Sequence, residues 1–323
     1  MDEDVRDSRP SALADSAPPS TYRGRFAPSP TGPLHFGSLV TAVGSYLEAK
    51  SRHGKWLIRI ENLDRSRETT GASKEILGAL EVFGMEWDGK VIYQSGRNKV
   101  YQAALTLLEK QGLIYSCFCS RKEIADSSIV GIEGPIYPGT CRGNLGNEEQ
   151  PGARRIRTDN RLIEFKDGLR GRVRQRLERD IGDFVLRRAD GIFAYQLAVA
   201  VDDADQGITH VVRGEDLLSS TSRQIYLQKL LGYSTPSYMH LPVVVNAQGE
   251  KLSKQTHAAP VPTSDPVSQL VMAIRFLGQT PPAELTESDI TSFWQWATRN
   301  WKSEKIPQKI LPPRERASNQ GKM

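Results

Sequence analysis

The chain has 323 residues, with 43 Lys and Arg against 38 Asp and Glu for a formal charge of +5, and 38% of its residues are hydrophobic. That length supports a real core, in one large domain or two modest ones, and no apolar run approaches the eighteen or so residues of a membrane span. The N-terminus carries Asp2, Glu3, Asp4 and Asp7 without the apolar stretch of a secretory signal or the arginines of a transit peptide, and three cysteines argue against a disulfide framework. A cytoplasmic location is the expectation.

Residues 1–20, rich in Asp, Ser, Ala and Pro, read as a disordered tail. Tyr22 to Ala27 reads as a short strand, followed by a turn stiffened by Pro28, Pro30 and Pro33. Leu39, Val43, Tyr46 and Leu47 then recur at helical spacing, and Trp56 to Glu61 is β-rich. Strand, helix, strand within about forty residues is a βαβ unit, which implies a parallel sheet with a crevice at its strand ends. The turn places His35, Gly37 and Ser38 at a helix N-terminus, where N–H groups and the dipole favour phosphate. Gly37, lacking a Cβ, lets a ligand approach the backbone.

Two amphipathic helices are expected next, Ala72 to Phe83 with Ile76, Leu80 and Phe83 on one stripe, and Lys99 to Lys110 with Leu105 and Leu108 toward the core. From Ile114 to about Gln150 the pattern breaks into a Gly/Pro-rich segment holding every cysteine: Cys117, Cys119 and Cys141. Three soft ligands in a segment with little core suit structural zinc; the alternative is three buried thiols. No histidine lies between His53 and His210, so a histidine fourth ligand is not expected.

Residues 156–201 alternate like antiparallel strands, with Ala189-Asp-Gly191 as a hairpin turn between Phe184–Arg188 and Ile192–Val201. Arg154 to Arg179 holds ten Arg and Lys against four Asp and Glu, compatible with an RNA phosphate backbone or with a solvated charged face. Ile208 to Val212 reads as a strand, leading through Arg213-Gly-Glu-Asp216 into a helix from Ser220 to Leu231. After an apolar run, Leu241 to Val245, the stretch Asn246 to Gln255 sets Lys251 and Lys254 in a loop. Helices follow over Val267 to Leu277 and Glu284 to Arg299, the latter with Phe293, Trp294 and Trp296, before a polar basic end.

Taken together, Arg25-Phe-Ala-Pro-Ser-Pro-Thr-Gly, His35-Phe-Gly-Ser, Arg59-Ile-Glu-Asn-Leu-Asp64 and Lys251-Leu-Ser-Lys-Gln resemble the class I aminoacyl-tRNA synthetases. The second and fourth stand where that family has its HIGH and KMSKS motifs; the others look like the glutamyl subgroup. The resemblance covers about Tyr22 to His257. It implies an α/β Rossmann-like catalytic domain with a parallel sheet, an inserted zinc-containing subdomain similar to an acceptor-binding domain, and a short helical C-terminal region. The expected boundaries are 21–113 and 201–260 for the two catalytic halves, 114–200 for the insertion, 261–300 for the helices and 301–323 for a mobile basic tail.

The same resemblance implies carboxylate adenylation with ATP and Mg2+, with His35, Lys251 and Lys254 as catalytic residues and His35, Gly37, Ser38 and Lys254 toward ATP. Ser38 departs from the family's second histidine, as glutamyl enzymes usually do. Arg25, Ser29, Glu61, Tyr195 and Arg213 would hold L-glutamate: Glu61 against the ammonium, Arg213 or Arg25 as the carboxylate clamp. The competing readings are an ion pair of Arg213 with Glu215 or Asp216 and a half-buried core position for Tyr195. Similarity to short glutamyl-synthetase paralogues makes Tyr137 the fourth zinc ligand beside the three cysteines. It also makes the queuosine base in the anticodon of tRNA(Asp) the acceptor, and a monomer is expected. The 68 residues beyond Gln255 are few for an anticodon-binding domain. An ordinary glutamyl-tRNA synthetase and an inactive tRNA-binding paralogue are the alternatives.

Overall fold

The computed structural model describes residues 22–131, 134–143, 152–245 and 259–308. The N-terminal tail, Lys251 and Lys254 with their loop, and most of the basic C-terminal end lie outside the described residues. The βαβ unit is present as expected: β1 (Arg23–Phe26), α1 (Phe36–Lys50) and β2 (Lys55–Ile60), with β1 and β2 parallel. β2 also pairs in parallel with the short β3 (Ile92–Tyr93), reached through α2 (Ala72–Val82). Ten of the residues of α1, Leu39 to Ala49 except Thr41, are buried, because this helix is covered by the sheet on one side and by later helices on the other. At Gly44 a Cβ would meet Leu241 Cδ1 at 2.6 Å, so any side chain here requires Leu241 to shift.

After α3 (Asn98–Lys110) the chain enters the insertion. The cysteine segment, expected to lack regular structure, contains β4 (Ile114–Cys117) and α4 (Arg121–Ser127). The signal for α4 was present in the sequence: Ser120 and Glu123 form a capping box, each side chain bonded to the other's backbone N–H. A small ladder of β5 (Val130–Gly131) and β6 (Gly134–Pro135) follows. β7 (Ala153–Ile156) pairs antiparallel with β4 and with β10 (Val185–Arg187). Between them, β8 (Leu162–Asp167) and β9 (Gly171–Arg176) form an antiparallel hairpin that leaves the insertion's sheet and joins the catalytic one, and α5 (Leu177–Asp180) leads back.

The expected strand from Ile192 to Val201 is corrected. The turn at Gly191 is real, with φ +87°, and Arg188 N donates to Ile192 O. Pairing ends there, at a single bridge of Arg187 with Phe193, and Tyr195–Asp205 is a helix, α6. Gln196 to Asp203 are all buried, so no polar face marked this stretch as a helix and its apolar residues read as a strand. β11 (His210–Gly214), α7 (Leu218–Leu231) and β12 (Ser237–Leu241) form a second βαβ unit, with β11 and β12 parallel. β12 also pairs with β8, giving the order β11-β12-β8-β9. Across its other edge β11 lies beside β1, where Thr209 N donates to Arg23 O and Arg23 N to Thr209 Oγ1.

α8 (Pro266–Phe276) and α9 (Ile290–Asn300) cover the outer side of α1. The single helix expected from Glu284 is split: Ala283–Glu287 is a 3-10 turn, and Asp289 caps a new start by accepting from Ser292 N. Trp294 Nε1 donates to Phe83 O and Trp301 Nε1 to Glu48 Oε1, fixing this layer to α1 and α2. No helix among the described residues is long and apolar enough to cross a membrane.

Candidate active site

A cavity of about 760 Å3 opens where β1, β2 and β11 end and α1 and α6 begin. Arg25, Ser29, His35, Gly37, Ser38, Glu61, Tyr195 and Arg213, eight residues singled out from sequence, all line it. Each arrives by a short route. Arg25 and Glu61 leave the ends of adjacent parallel strands, and Glu61 N donates to Pro28 O, holding the proline turn against the end of β2. Tyr195 starts α6, and Arg213 sits near the end of β11.

His35 is the N-cap of α1, an unusual residue for that position. Its Nδ1 accepts from Ser38 N at 3.3 Å, and its Nε2 is 3.1 Å from Ser38 Oγ. Nδ1 as acceptor leaves the proton on Nε2. The first turn of α1 contains no acidic residue, so no carboxylate of its own opposes an anion at the helix N-terminus.

Under the cavity floor lies a buried ion network. Arg59, with no exposed surface, donates through Nη1 to Asp203 Oδ1 and Gln206 Oε1, both at 2.8 Å, and through Nη2 to Glu61 Oε1 at 3.2 Å. Arg25 Nε reaches the same Asp203 oxygen at 3.2 Å. Burial works against the Arg59 charge, but Asp203, Glu61 and Asp202 outweigh it and raise its pKa. Burial would likewise raise Asp203, yet Arg25 and Arg59 hold it below the ordinary carboxylate range. Glu61 goes the other way: burial pushes its carboxyl up against the pull of Arg59 and Arg25. Burial and then the Glu61 charge raise Tyr195, keeping its hydroxyl protonated.

The bonds of the Arg213 fork go to neither Glu215 nor Asp216. Its Nε donates to His240 Nε2 at 3.1 Å, Nη1 to Gln224 Oε1 at 2.9 Å, and Nη2 to Thr221 Oγ1 at 2.8 Å and Leu217 O at 3.3 Å. Glu215 is paired with Arg170 instead. His240, itself fully buried, donates from Nδ1 to Asp167 Oδ2 at 2.6 Å. Burial lowers the His240 pKa despite that bond, so the ring is neutral and can accept from Arg213.

The three cysteines converge in the insertion, with their sulfurs within 4.8 Å of one another. Cys119 and Cys141 sulfurs are 3.5 Å apart, and Tyr137 Oη lies 3.4 Å from Cys117 Sγ and 3.6 Å from Cys119 Sγ. Two ligands of a tetrahedral ion with arms of about 2.0–2.3 Å stand about 3.3–3.8 Å apart. The three separations given fall in that range, and the three sulfurs lie close enough together that they could hold a metal ion. The Arg155 guanidinium lies 4.0 Å over the Tyr137 ring, while burial and then hydrogen bonds with Cys117 and Cys141 push the Tyr137 hydroxyl well up and keep it protonated in the metal-free cluster.

Sequence reasoning missed the part played by Arg59, and with it Asp202, Asp203, Asp167 and His240. Two signals were available: an arginine inside an apolar strand, and two aspartates closing an apolar run, each a charged residue where burial is expected. The segment 246–258 is outside the described residues, but both of its flanks belong to the cavity region. Val243 and Val244 line the cavity, and beyond the segment Pro260 bridges to His35 while Val261 N donates to Leu34 O.

Known proteins resemble the chain in domain, in sequence and in fold. A family profile described as "tRNA synthetases class I (E and Q), catalytic domain" matches residues 21–287. The chain is 56% identical over 294 residues to a glutamyl-Q tRNA(Asp) synthetase of Dechloromonas aromatica (strain RCB), covering 90% of this chain and 98% of that one. To the protein of the same name in Chromobacterium violaceum it is 54% identical, covering 88% and 95%. Among solved structures it is similar to a glutamate tRNA ligase from Elizabethkingia meningosepticum CCUG26117 in complex with its amino acid. That match has a TM-score of 0.76 and 25% identity, and covers 91% of this chain and 67% of the other.

Proposed function

The chain belongs to the class I tRNA synthetase family of the E and Q type, and from that membership together with the cavity we infer its activity. It is a ligase that activates L-glutamate with ATP and transfers the glutamyl group to tRNA(Asp). The acceptor is the queuosine base of the anticodon, acylated on a hydroxyl of its cyclopentenediol ring, and activation proceeds before tRNA binds. The relatives' shared name and near-full-length match support that acceptor.

Activation joins the α-carboxylate oxygen of glutamate to the α-phosphorus of ATP while the bond to the bridging oxygen breaks and pyrophosphate leaves. In transfer, the ring hydroxyl attacks the acyl carbon and AMP departs. No protein nucleophile is needed, so the site works by positioning and by stabilising charge. Glu61 meets the α-ammonium, whose charge would compensate the burial that raises this carboxyl. Among the described residues Arg25 makes two bonds and Arg213 four, so Arg25 has more of its fork to offer the side-chain carboxylate and Arg213 assists. Tyr195 and Ser29 supply hydroxyls. His35 Nε2, Gly37 and Ser38 receive the phosphates at the start of α1, and Lys251 and Lys254 neutralise the departing pyrophosphate. Mg2+ bound with ATP would offset the charge of its phosphates.

The observation carrying this reading is the convergence of eight residues from four distant segments on one cavity, with an anion and a cation set side by side. The test is glutamate-dependent ATP–pyrophosphate exchange without tRNA, followed by charging of queuosine-containing and unmodified tRNA(Asp). Exchange in the absence of tRNA and charging of the modified species alone is the expected result. Exchange that required tRNA(Glu) would instead identify an ordinary glutamyl-tRNA synthetase.

Zinc is the ion we assign to Cys117, Cys119, Tyr137 and Cys141, where it would hold the insertion's strands together. The donor set and the spacings support it. Metal analysis of purified protein should give one zinc per chain, and Cys119→Ser should lose it.

A further inference from the structure

The basic run from Arg154 to Arg179 is sorted by the fold into two groups. Arg154 is bonded to Glu109 and Ser116, Arg155 is buried against Tyr137, and Arg157 donates to Arg142 O. These arginines hold the insertion together. Most of the remaining cations stand on the hairpin β8–β9, and they stand on one side of it. Alternation along β9 puts Arg172, Arg174 and Arg176 on a common face, and the register places Lys166 opposite Arg172 on that same face. Glu164 is the anion among them, pairing with Arg174 at 2.5 Å and Arg172 at 3.7 Å. Those arginine side chains are 57% and 66% exposed, so the pairs are surface contacts worth little and open to exchange for another anion.

Two further facts aim this face. β9 is the outer strand of its sheet among the described residues, with β8 as its partner. At the hairpin's turn Arg170 pairs with Glu215, next to Gly214, Asp216 and Leu217 on the wall of the active-site cavity. The stripe therefore starts near the cavity rim, with Arg172, and runs outward to Arg176.

We propose that the outer face of β8–β9 is the track for the sugar–phosphate backbone of the RNA arm whose modified base enters the cavity, with Arg172 and Arg174 as its principal phosphate contacts. This rests on the reading that tRNA is the acceptor. A cationic edge strand also prevents edge-to-edge pairing of sheets, and the experiment separates the two roles.

Binding of queuosine-containing tRNA(Asp) is measured by fluorescence anisotropy across a KCl series for the wild type, for Arg172→Gln/Arg174→Gln, and for Arg299→Gln/Lys302→Gln on and beyond α9, which removes equal charge elsewhere. The first variant should lose affinity at low salt, and its slope of log K against log[salt] should fall by about 0.7–0.9 for each phosphate contact removed. Its tRNA-independent glutamate–ATP exchange should stay at the wild-type rate, showing an intact fold and site. An unchanged slope, with or without new self-association, would overturn the proposal in favour of edge protection. An equal fall in the Arg299→Gln/Lys302→Gln variant would overturn it in favour of net charge. Failure of the wild type to bind tRNA(Asp) at all would refute the acceptor assignment and the track with it.

Discussion

Glu61 shows how a single residue's surroundings tune its task. Its carboxyl is raised by burial, and only its ionised form can pair with an α-ammonium. Lowering pH through that raised pKa therefore converts it to the neutral acid and removes the ammonium's partner. The KM for glutamate should climb as pH falls while the KM for ATP stays nearly level, as read from exchange kinetics. Glu61→Gln should fix the high-KM state at every pH, at a cost of about 1.5–3 kcal/mol for a charged hydrogen bond, or roughly 10- to 150-fold. Arg213, which assists Arg25 at the side-chain carboxylate, depends on His240 for its orientation. Replacing His240 with Leu removes the acceptor for Arg213 Nε and the donor to Asp167, so the KM for glutamate should rise about tenfold. Because the folded state holds His240 neutral, the native structure should also lose stability as pH falls below about 6.5, where the unfolded chain takes up a proton the folded one resists.

Among the secondary-structure elements, the spacing of α1 from the sheet decides where its N-terminus points. Gly44 lies against Leu241, and a larger side chain makes either Leu241 repack or the helix move away from the sheet. Gly44→Val should destabilise by about 1–3 kcal/mol, as overpacking does, and should also weaken ATP binding by displacing His35 and Gly37. Urea denaturation and exchange kinetics on the same variant would read both effects. Loss of stability with an unchanged KM for ATP would mean that the turn from Pro28 to Pro33 holds His35 independently of the helix.

Across the full fold, the network around Arg59 joins strands that lie far apart in the chain. It ties β2, through Asp203 and Gln206 on and just after α6, to Arg25 on β1. Removing the central cation leaves Asp203, Asp202 and Glu61 buried near one another. Arg59→Met should therefore cost about 3–5 kcal/mol, the usual penalty for breaking a buried pair from one side. Thermal denaturation would detect it as a large fall in Tm, and a shift of less than about a degree would mean that water or rearrangement relieves the carboxylates.

Residue order alone was enough to specify the βαβ unit, the proline-stiffened turn, the family and eight of the residues that line the cavity, because those rest on local periodicity and on short motifs whose residue types the chemistry requires. It also set the three cysteines close enough in the chain to meet. The state of wholly buried segments was beyond its reach: Tyr195–Asp205 is covered along most of its length, so it shows no polar helical face and its helix emerges only in the packed structure. Nor could it distinguish Arg155, turned inward over Tyr137, from Arg172 and Arg174, turned outward along an edge strand. The same is true of the Asp203–Arg59–Glu61 and Asp167–His240–Arg213 chains. A charge becomes a clamp or a support according to what long-range packing sets beside it and how much water that packing removes, and neither is written in the neighbouring residues.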